Sequence, residues 1–269
     1  MNGNTAPDLA TLRQGLHVSY SQIRCFTLCP AKFEHQYLLG TEPSHRPVAL
    51  VFGGSTHHAL AAYYNHVQAN GEAMSMEAIQ DAFRGRWEAE MDLPVPIEFG
   101  EKKDAGAFVD QGVDLLRVFH AQAGTPDVLA VEQPFSVDLV DPVSGEVLDL
   151  RLVGAFDLVV RESSGPVIVE HKTAARKYTR EQLAYDLQPS IYRYAAREME
   201  IDDARVRYQI LVKTKTPGVM LCDVERTDAD IREALETVCS VLDGIEAGVA
   251  FRNRGWACSD CQFAYRCRA

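Results

Sequence analysis

The sequence predicts a mixed α/β fold, in which a mixed central β-sheet is flanked by helices and preceded by a helical N-terminal part. Two observations predict it. Apolar residues recur at helical spacing through most of residues 16–125, whereas short apolar segments typical of β-strands follow from residue 128. Helix and strand patterns then alternate up to residue 248, before a cysteine-rich tail. A sheet covered by helices buries the apolar faces of both kinds of element.

The sequence divides into parts that we expect to fold as one unit. These are a disordered lead over residues 1–15, the helical part over 16–125, a core over 126–250 and the cysteine tail over 251–269. The N-terminus lacks the basic start and apolar stretch of a secretory signal, and no segment approaches the ~18 apolar residues of a membrane span. We therefore expect a cytoplasmic protein without membrane contact.

The net charge of −11 argues against a general electrostatic attraction to nucleic acid, although it permits a local basic track. Candidate residues for such a track are Arg176, Lys177, Arg180, Lys213, Lys215, Arg252 and Arg254. Taken singly, each of these residues is more often a solvated surface charge.

The helical part predicts several helices in succession. A helix that begins near Ser19 or Ser21 should be interrupted by Pro30, so that two short helices meet between Cys29 and Pro30. A loop containing two prolines is predicted over residues 93–104. Further helices are predicted over residues 54–70, 75–91 and 105–122.

The core begins with a predicted antiparallel meander. Its strands are predicted over residues 128–140, 146–162 and 167–173. A helix over 179–199, capped by Thr179, should follow. Two strands are then predicted around a Thr-Pro-Gly turn, over residues 205–214 and 219–225. The last helix should begin after Thr227, which can form a capping box with Asp230, and end at Gly248.

Two acidic residues and a lysine come together in this meander. Asp157 lies in one strand, and Glu170 and Lys172 lie two apart at the end of the next, so these two side chains share a face. A hairpin around residues 163–166 would bring Asp157 beside Glu170. Two carboxylates suit Mg²⁺ or Mn²⁺, and a lysine can orient water for phosphodiester hydrolysis. The carbonyl of His171 is a further candidate ligand, although strands ending in Glu-His-Lys are also common at surfaces.

Several blocks of the sequence resemble the RecB-type branch of the PD-(D/E)XK nucleases, which includes the nuclease domains of RecB and AddB and the CRISPR-associated adaptation exonucleases. In chain order the blocks are SYSQIRCFTLCPAKFEHQYLLG, FGGSTHHALAAYY, LVGAFDLVV, VIVEHKT and DLQPSIYRYA. Together with the cysteine tail they extend from residue 19 to residue 267, without a helicase motif. The resemblance implies a restriction-endonuclease-like core.

The resemblance also implies a metal site. His57, Asp157 and Glu170 are expected to hold the metal, with Lys172 assisting the water. The spacing from Gly53 favours His57, although the neighbouring His58 leaves the assignment open by one residue. An imidazole beside two carboxylates suits Mn²⁺ better than Mg²⁺.

The last block carries the Q-x-x-x-Y pair that marks this branch, Gln188 and Tyr192. The resemblance implies that both line the DNA track. Their separation by four residues places them on one face of a helix, which is also the pattern of an ordinary packed face.

The cysteine tail supplies Cys258, Cys261 and Cys267, which is one thiolate short of a zinc or [4Fe–4S] site. The resemblance implies that Cys29 is the fourth ligand and that the group is a [4Fe–4S] cluster joining the N- and C-terminal segments. Cys25, four residues earlier, is a rival ligand. Structural zinc and a metal-free remnant are the alternatives to the cluster.

The sequence therefore predicts a divalent-metal-dependent DNA nuclease. The resemblance further implies that it is an exonuclease acting on single-stranded DNA ends, in recombination, repair or defence. A helicase or recombination protein is a possible partner. The alternative function is a non-catalytic or partner-dependent nucleic-acid-binding module with a structural metal cluster. A redox or iron-handling protein would leave the nuclease residues unexplained.

Overall fold

The computed structural model describes residues 8–100, 104–201 and 203–268. The α-helices are α1 (Leu9–Leu12), α2 (Tyr20–Leu28), α3 (Pro30–Phe33), α4 (Val48–Asn70), α5 (Met76–Met91), α6 (Ala105–Ala123), α7 (Arg180–Ala184), α8 (Gln188–Glu198), α9 (Asp228–Glu246) and α10 (Ala264–Arg268). The β-strands are β1 (His17–Val18), β2 (Arg46–Pro47), β3 (Ile97–Glu98), β4 (Asp127–Val140), β5 (Val147–Glu162), β6 (Gly165–Ala174), β7 (Arg205–Val212) and β8 (Gly218–Val224).

The central sheet mixes antiparallel and parallel pairs. Antiparallel pairing joins β4 to β5, β5 to β6 and β7 to β8, whereas β6 and β7 are parallel. The parallel pair exists because α7 and α8 form the crossover between β6 and β7. β1 pairs with the first half of β5, and β2 and β3 form a separate small sheet. The expected mixed sheet flanked by helices is confirmed.

Helices cover both faces of the sheet and create two apolar cores. On one face, α4, α5 and α6 pack against Val167 and Val169 of β6. On the other face, α2, α8 and α9 pack against Ile168 of β6 and Phe156 of β5. Successive residues of β6 thus point into different cores, as expected for a strand with both faces buried.

The entry into the helical part is as predicted. Ser19 caps α2 in a capping box with Gln22, and Pro30 opens α3 after an extended Cys29. Proline suits a first helical turn because its missing N–H has no partner there in any case. A π-helical turn, Glu34–Leu38, continues from α3.

The predicted start of the next helix, at residue 54, was too late. α4 begins at Val48, so Gly53 lies inside the helix. Glycine weakens a helix by ~1 kcal/mol, but Val51 and Phe52 are buried in the core and their packing outweighs that preference.

The single helix predicted over residues 179–199 was wrong. Thr179 does cap α7, but the helix ends at Ala184 and α8 begins at Gln188. Pro189 lies in the first turn of α8, and it lacks the backbone N–H that a continuous helix would need to bond to the carbonyl of Tyr185.

The structure describes only part of the predicted N-terminal lead and of the predicted loop over residues 93–104. Within the lead, Leu9–Leu12 form a short helix, and residues 1–7 lie outside the described residues. The predicted loop over 93–104 contains the short strand β3, and residues 101–103 again lie outside the description. Among the helices of the described residues, none combines the length and apolarity required to cross a bilayer.

Candidate active site

The candidate site lies where β5 and β6 separate. Their pairing ends at Leu158 and Val169, and the next residue towards the gap is Asp157 on β5 and Glu170 on β6. The backbone N–H of His171 donates to Asp157 Oδ2 at 2.8 Å, which ties the aspartate to the neighbouring strand. The hairpin predicted from sequence therefore brings the two carboxylates together.

A closed ring of hydrogen bonds connects Glu170 and Lys172 to α8. Lys172 Nζ donates to Glu170 Oε1 at 2.6 Å and to Gln188 Oε1 at 2.8 Å. Gln188 Nε2 donates to the hydroxyl of Tyr192 at 2.9 Å. That hydroxyl lies 2.7 Å from Glu170 Oε2 and 2.9 Å from the carbonyl oxygen of Ala155. Because a hydroxyl has one proton, the charged carboxylate is the stronger of the two acceptors.

The ring shows that Gln188 and Tyr192 position other side chains of the site, which the resemblance did not imply. Both side chains are buried, and their hydrogen bonds hold Lys172 and Glu170 in position instead of facing solvent. A contact of either residue with DNA stays a prediction.

A histidine completes the group from the opposite layer. His57 on α4 is half-buried, and its Nδ1 lies 3.4 Å from Asp157 Oδ2, whereas His58 is exposed. α4 packs on the face of the sheet opposite α8, so residues from both layers meet at the gap between β5 and β6. The sequence left open whether His57 or His58 belongs to the metal site, and this geometry favours His57.

The electrostatics of the group depend on competing burial and charge effects. Burial and the nearby charge of Glu170 raise the pKa of Asp157 to about 6. Burial also opposes the charged forms of Glu170 and Lys172, but their mutual attraction outweighs it, lowering the pKa of Glu170 and raising the pKa of Lys172. Two carboxylates held this close repel each other, and a bound cation would relieve that repulsion.

His171 contributes its main chain to the group, while its side chain lies elsewhere. The ring is buried and stacks on Tyr64 with a centroid distance of 5.6 Å. Within the described residues neither ring nitrogen has a hydrogen-bond partner. Burial lowers the pKa of His171 to about 3, so the ring is neutral. The proposed metal contact of the His171 carbonyl stays a prediction.

The described part of the chain contains no group of three or more His, Cys, Asp and Glu side chains already arranged to hold a metal ion. The donor set at the gap nevertheless fits a divalent cation in its chemistry. Asp157 and Glu170 offer carboxylate oxygens and His57 offers an imidazole nitrogen, which is a combination suited to Mn²⁺ and tolerated by Mg²⁺.

The predicted cysteine ligands lie around one cavity. It measures about 250 Å³, and its lining includes Cys29, Cys258, Cys261 and Cys267 together with basic side chains such as Arg252. Cys25 is buried and is not among the described residues that line the cavity. Of the two candidate fourth ligands, Cys29 therefore has the better position.

Hydrogen bonds hold the N- and C-terminal segments together around this cavity. The N–H of Ala31 donates to the carbonyl of Phe251 at 3.2 Å, and Asn253 Nδ2 donates to the carbonyl of Leu28 at 2.9 Å. The N–H of Ser44 donates to the carbonyl of Gln262 at 3.0 Å. These three hydrogen bonds join the N-terminal and C-terminal segments directly.

One residue near the group was missed by sequence reasoning. The Asp186 carboxylate accepts from the hydroxyls of Tyr20 and Tyr208, at 2.7 and 2.8 Å, and from the N–H of Gln188 at 3.0 Å. It thereby fixes the start of α8, which carries Gln188 to Lys172. Its place two residues before the Q-x-x-x-Y pair was a weak signal, because the two tyrosines that bind Asp186 come from other segments of the chain.

Comparisons with known proteins bear on the fold and on the family. A chain described as a “putative exonuclease” from Eubacterium rectale has a similar fold, with a TM-score of 0.56 and 13% identity over 97% of this chain and 92% of that one. A second structure, of the protein SSO0001, matches with a TM-score of 0.37 and 14% identity over 88% and 92% of the two chains. The comparison with curated proteins found no significant match. The sequence profile of the PD-(D/E)XK nuclease superfamily matches residues 17–268, so the chain belongs to that superfamily.

Proposed function

We propose that the protein is a divalent-metal-dependent DNA exonuclease that hydrolyses phosphodiester bonds at single-stranded ends, in recombination, repair or defence. The observation that supports it best is the hydrogen-bonded ring that holds Lys172 against Glu170, beside Asp157. A partly buried lysine and two carboxylates that are fixed in advance can act on a developing charge without first reorganising.

The roles follow from the chemistry of each side chain. Asp157, Glu170 and His57 would hold a divalent cation. When bound, such a cation polarises the phosphate and lowers the pKa of a water ligand. Lys172 keeps its proton because Glu170 raises its pKa, so its ammonium can orient the attacking water and offset negative charge on the phosphate. Gln188 and Tyr192 hold these two residues in place.

The test is degradation of an end-labelled single-stranded DNA with Mn²⁺, by wild type and by the Lys172→Ala and Glu170→Ala variants. Cleavage should need the cation and should fall by ~10³-fold or more in both variants. Asp223→Asn is a matched control, since Asp223 is a half-exposed carboxylate on β8 that pairs with Arg207, and it should cleave like wild type.

Two results would contradict the proposal. One is cleavage that survives in both variants, which would place the activity elsewhere or in a contaminant. The other is the absence of cleavage by a folded wild-type protein on single strands, duplexes and nicked DNA. That second result would favour a non-catalytic binding module or a nuclease that requires a helicase or recombination partner.

We further propose that Cys29, Cys258, Cys261 and Cys267 hold a [4Fe–4S] cluster. Thiols on one cavity match the four-cysteine ligation of such clusters, and the basic residues of the lining suit the negative charge of the liganded group. Anaerobically purified protein should then be brown and contain iron and sulfide in equal amounts. Colourless protein with one zinc per chain would replace the cluster by structural zinc.

A further inference from the structure

A second cavity opens directly onto the candidate active site. It measures about 320 Å³, and Lys172 lies in its lining together with Tyr20, Arg24, Tyr185 and Asp186. Because Lys172 is also hydrogen-bonded to Glu170, whatever occupies this cavity lies next to the reacting group. α2 supplies one side of the cavity, and the segment between α7 and α8 supplies the other.

Tyr185 presents its ring at this cavity. The residue is 83% exposed and lies in the break between α7 and α8. A single exposed aromatic residue is unremarkable by itself, but its neighbour Asp186 is fixed by the hydroxyls of Tyr20 and Tyr208. The backbone that carries Tyr185 is therefore held in place although its ring is in solvent. A positioned, solvent-facing ring is the usual stacking platform for an unpaired base.

Positive charge surrounds the same cavity. Arg24 faces it from α2, and within the described residues it forms no ion pair. Arg176 and Lys177 precede α7, and Arg180 is its first residue. All three lie close in sequence to the cavity residue Tyr178, and the ion pairs of the described chain do not involve them. In a chain with a net charge of −11, such cations without local partners are suited to phosphate groups.

We infer that Tyr185 and Arg24 form a nucleotide subsite for single-stranded DNA, in which Tyr185 stacks on an unpaired base and Arg24 contacts a phosphate next to the one at Lys172. This inference rests on the proposed nuclease function and specifies how the strand is bound. A duplex cannot use the subsite fully, because its bases are already stacked on each other. The subsite therefore selects unpaired DNA.

The experiment measures binding without cleavage. A fluorescent oligothymidylate and an abasic strand of equal length are titrated with the protein in the absence of divalent cations, with fluorescence anisotropy as the readout. Both strands carry the same phosphates, so their difference in affinity isolates the bases. Wild type should prefer the oligothymidylate by roughly tenfold. Tyr185→Ala should lose this preference, and Tyr185→Phe should keep it.

Arg24→Ala should have a different effect. It should weaken the binding of both strands by a similar factor and reduce the slope of log affinity against log salt by about 1. The matched controls are Trp256→Ala, which removes an aromatic residue of 85% exposure on the tail, and Arg232→Ala, which removes an exposed cation of α9. Both should bind each strand like wild type.

The inference is overturned if Tyr185→Ala retains the preference for bases, if Trp256→Ala loses it equally, or if a duplex of the same sequence binds as tightly as the single strand. These binding outcomes can be distinguished from the outcome of the cleavage test of the proposed nuclease. A protein that binds as described but never cleaves would contradict only the enzyme, and a protein that cleaves without this dependence on Tyr185 would contradict only the subsite.

Discussion

Two regions, the nuclease centre around Asp157, Glu170 and Lys172 and the cavity lined by the cysteines, differ in how many hydrogen bonds their own side chains form with one another. In the nuclease centre, Lys172, Glu170 and Tyr192 already bind one another. In the cysteine cavity the thiols converge, but within the described residues their one side-chain hydrogen bond is a weak contact of 3.9 Å from Cys258 to the carbonyl of Asn253. Only the first group is organised by its own side chains.

This difference indicates where each part obtains its stability. Residues of the nuclease centre lie on β5, β6, α8 and α4, whose packing in the two cores fixes them. The cysteines lie on the short segments at both ends of the fold, joined by a few backbone hydrogen bonds. A bound group would therefore contribute more order at the cavity than at the gap between β5 and β6.

The largest effect is expected from Glu170→Gln. The amide keeps the volume and one acceptor oxygen, but the negative charge that supports Lys172 and a cation is lost, so the cleavage rate should fall by ~10³-fold. The iron content should not change, because the cysteines lie outside this network. Single-strand cleavage and iron analysis on the same preparation check both statements, and a parallel loss of iron would show that the two regions are one unit.

A second comparison separates the two candidate cysteine ligands. If the proposed cluster is present, Cys29→Ser should lose its visible absorbance and lower the melting temperature by several degrees, since such a bound group would contribute to folding. Cys25→Ser should retain the absorbance, because Cys25 is buried and is not among the described residues that line the cavity. Absorption spectra and thermal unfolding followed by circular dichroism measure this, and the reverse pattern would assign the ligand to Cys25.

A smaller effect is expected for Gln188→Ala. Removing the amide frees Lys172 on one side, so kcat should fall by ~10–100-fold, as for other residues that orient a catalytic neighbour. KM should stay near its wild-type value if Gln188 acts through Lys172. A rise in KM with unchanged kcat would instead support the contact with DNA that the family resemblance implies. Steady-state kinetics on a single-stranded substrate distinguish the two roles.

The smallest effect should come from Thr227→Ala, which removes the capping box of α9. The expected loss is ~1 kcal/mol of unfolding free energy, with cleavage and iron content unchanged. Urea denaturation measures it. Because Thr227 touches neither region, a change in activity or iron content would mean that global stability, and not local chemistry, governs the effects of the other variants.

The local sequence predicted the candidate site well where the placement of a side chain depends on the pairing of two neighbouring strands. Asp157, Glu170 and Lys172 were identified from a strand pair and a spacing of two residues, and pairing of β5 with β6 confirms that placement. Gln188 and Tyr192 share a helix face as expected, but their bonds to Lys172 and Glu170 depend on how α8 crosses the sheet. Spacing along a helix cannot specify which strand it covers.

Alternating polarity, turn residues and caps predicted most of the longer elements and the acidic group, because these are set largely by neighbours in the chain. They missed the start of α4 and the break between α7 and α8. Tertiary structure decided the parallel pairing of β6 with β7 and the role of Asp186, and it places Cys29, but not Cys25, in the described lining of the cysteine cavity. Each of these depends on contacts between segments far apart in sequence, and their free energy exceeds the local preferences that a sequence pattern expresses.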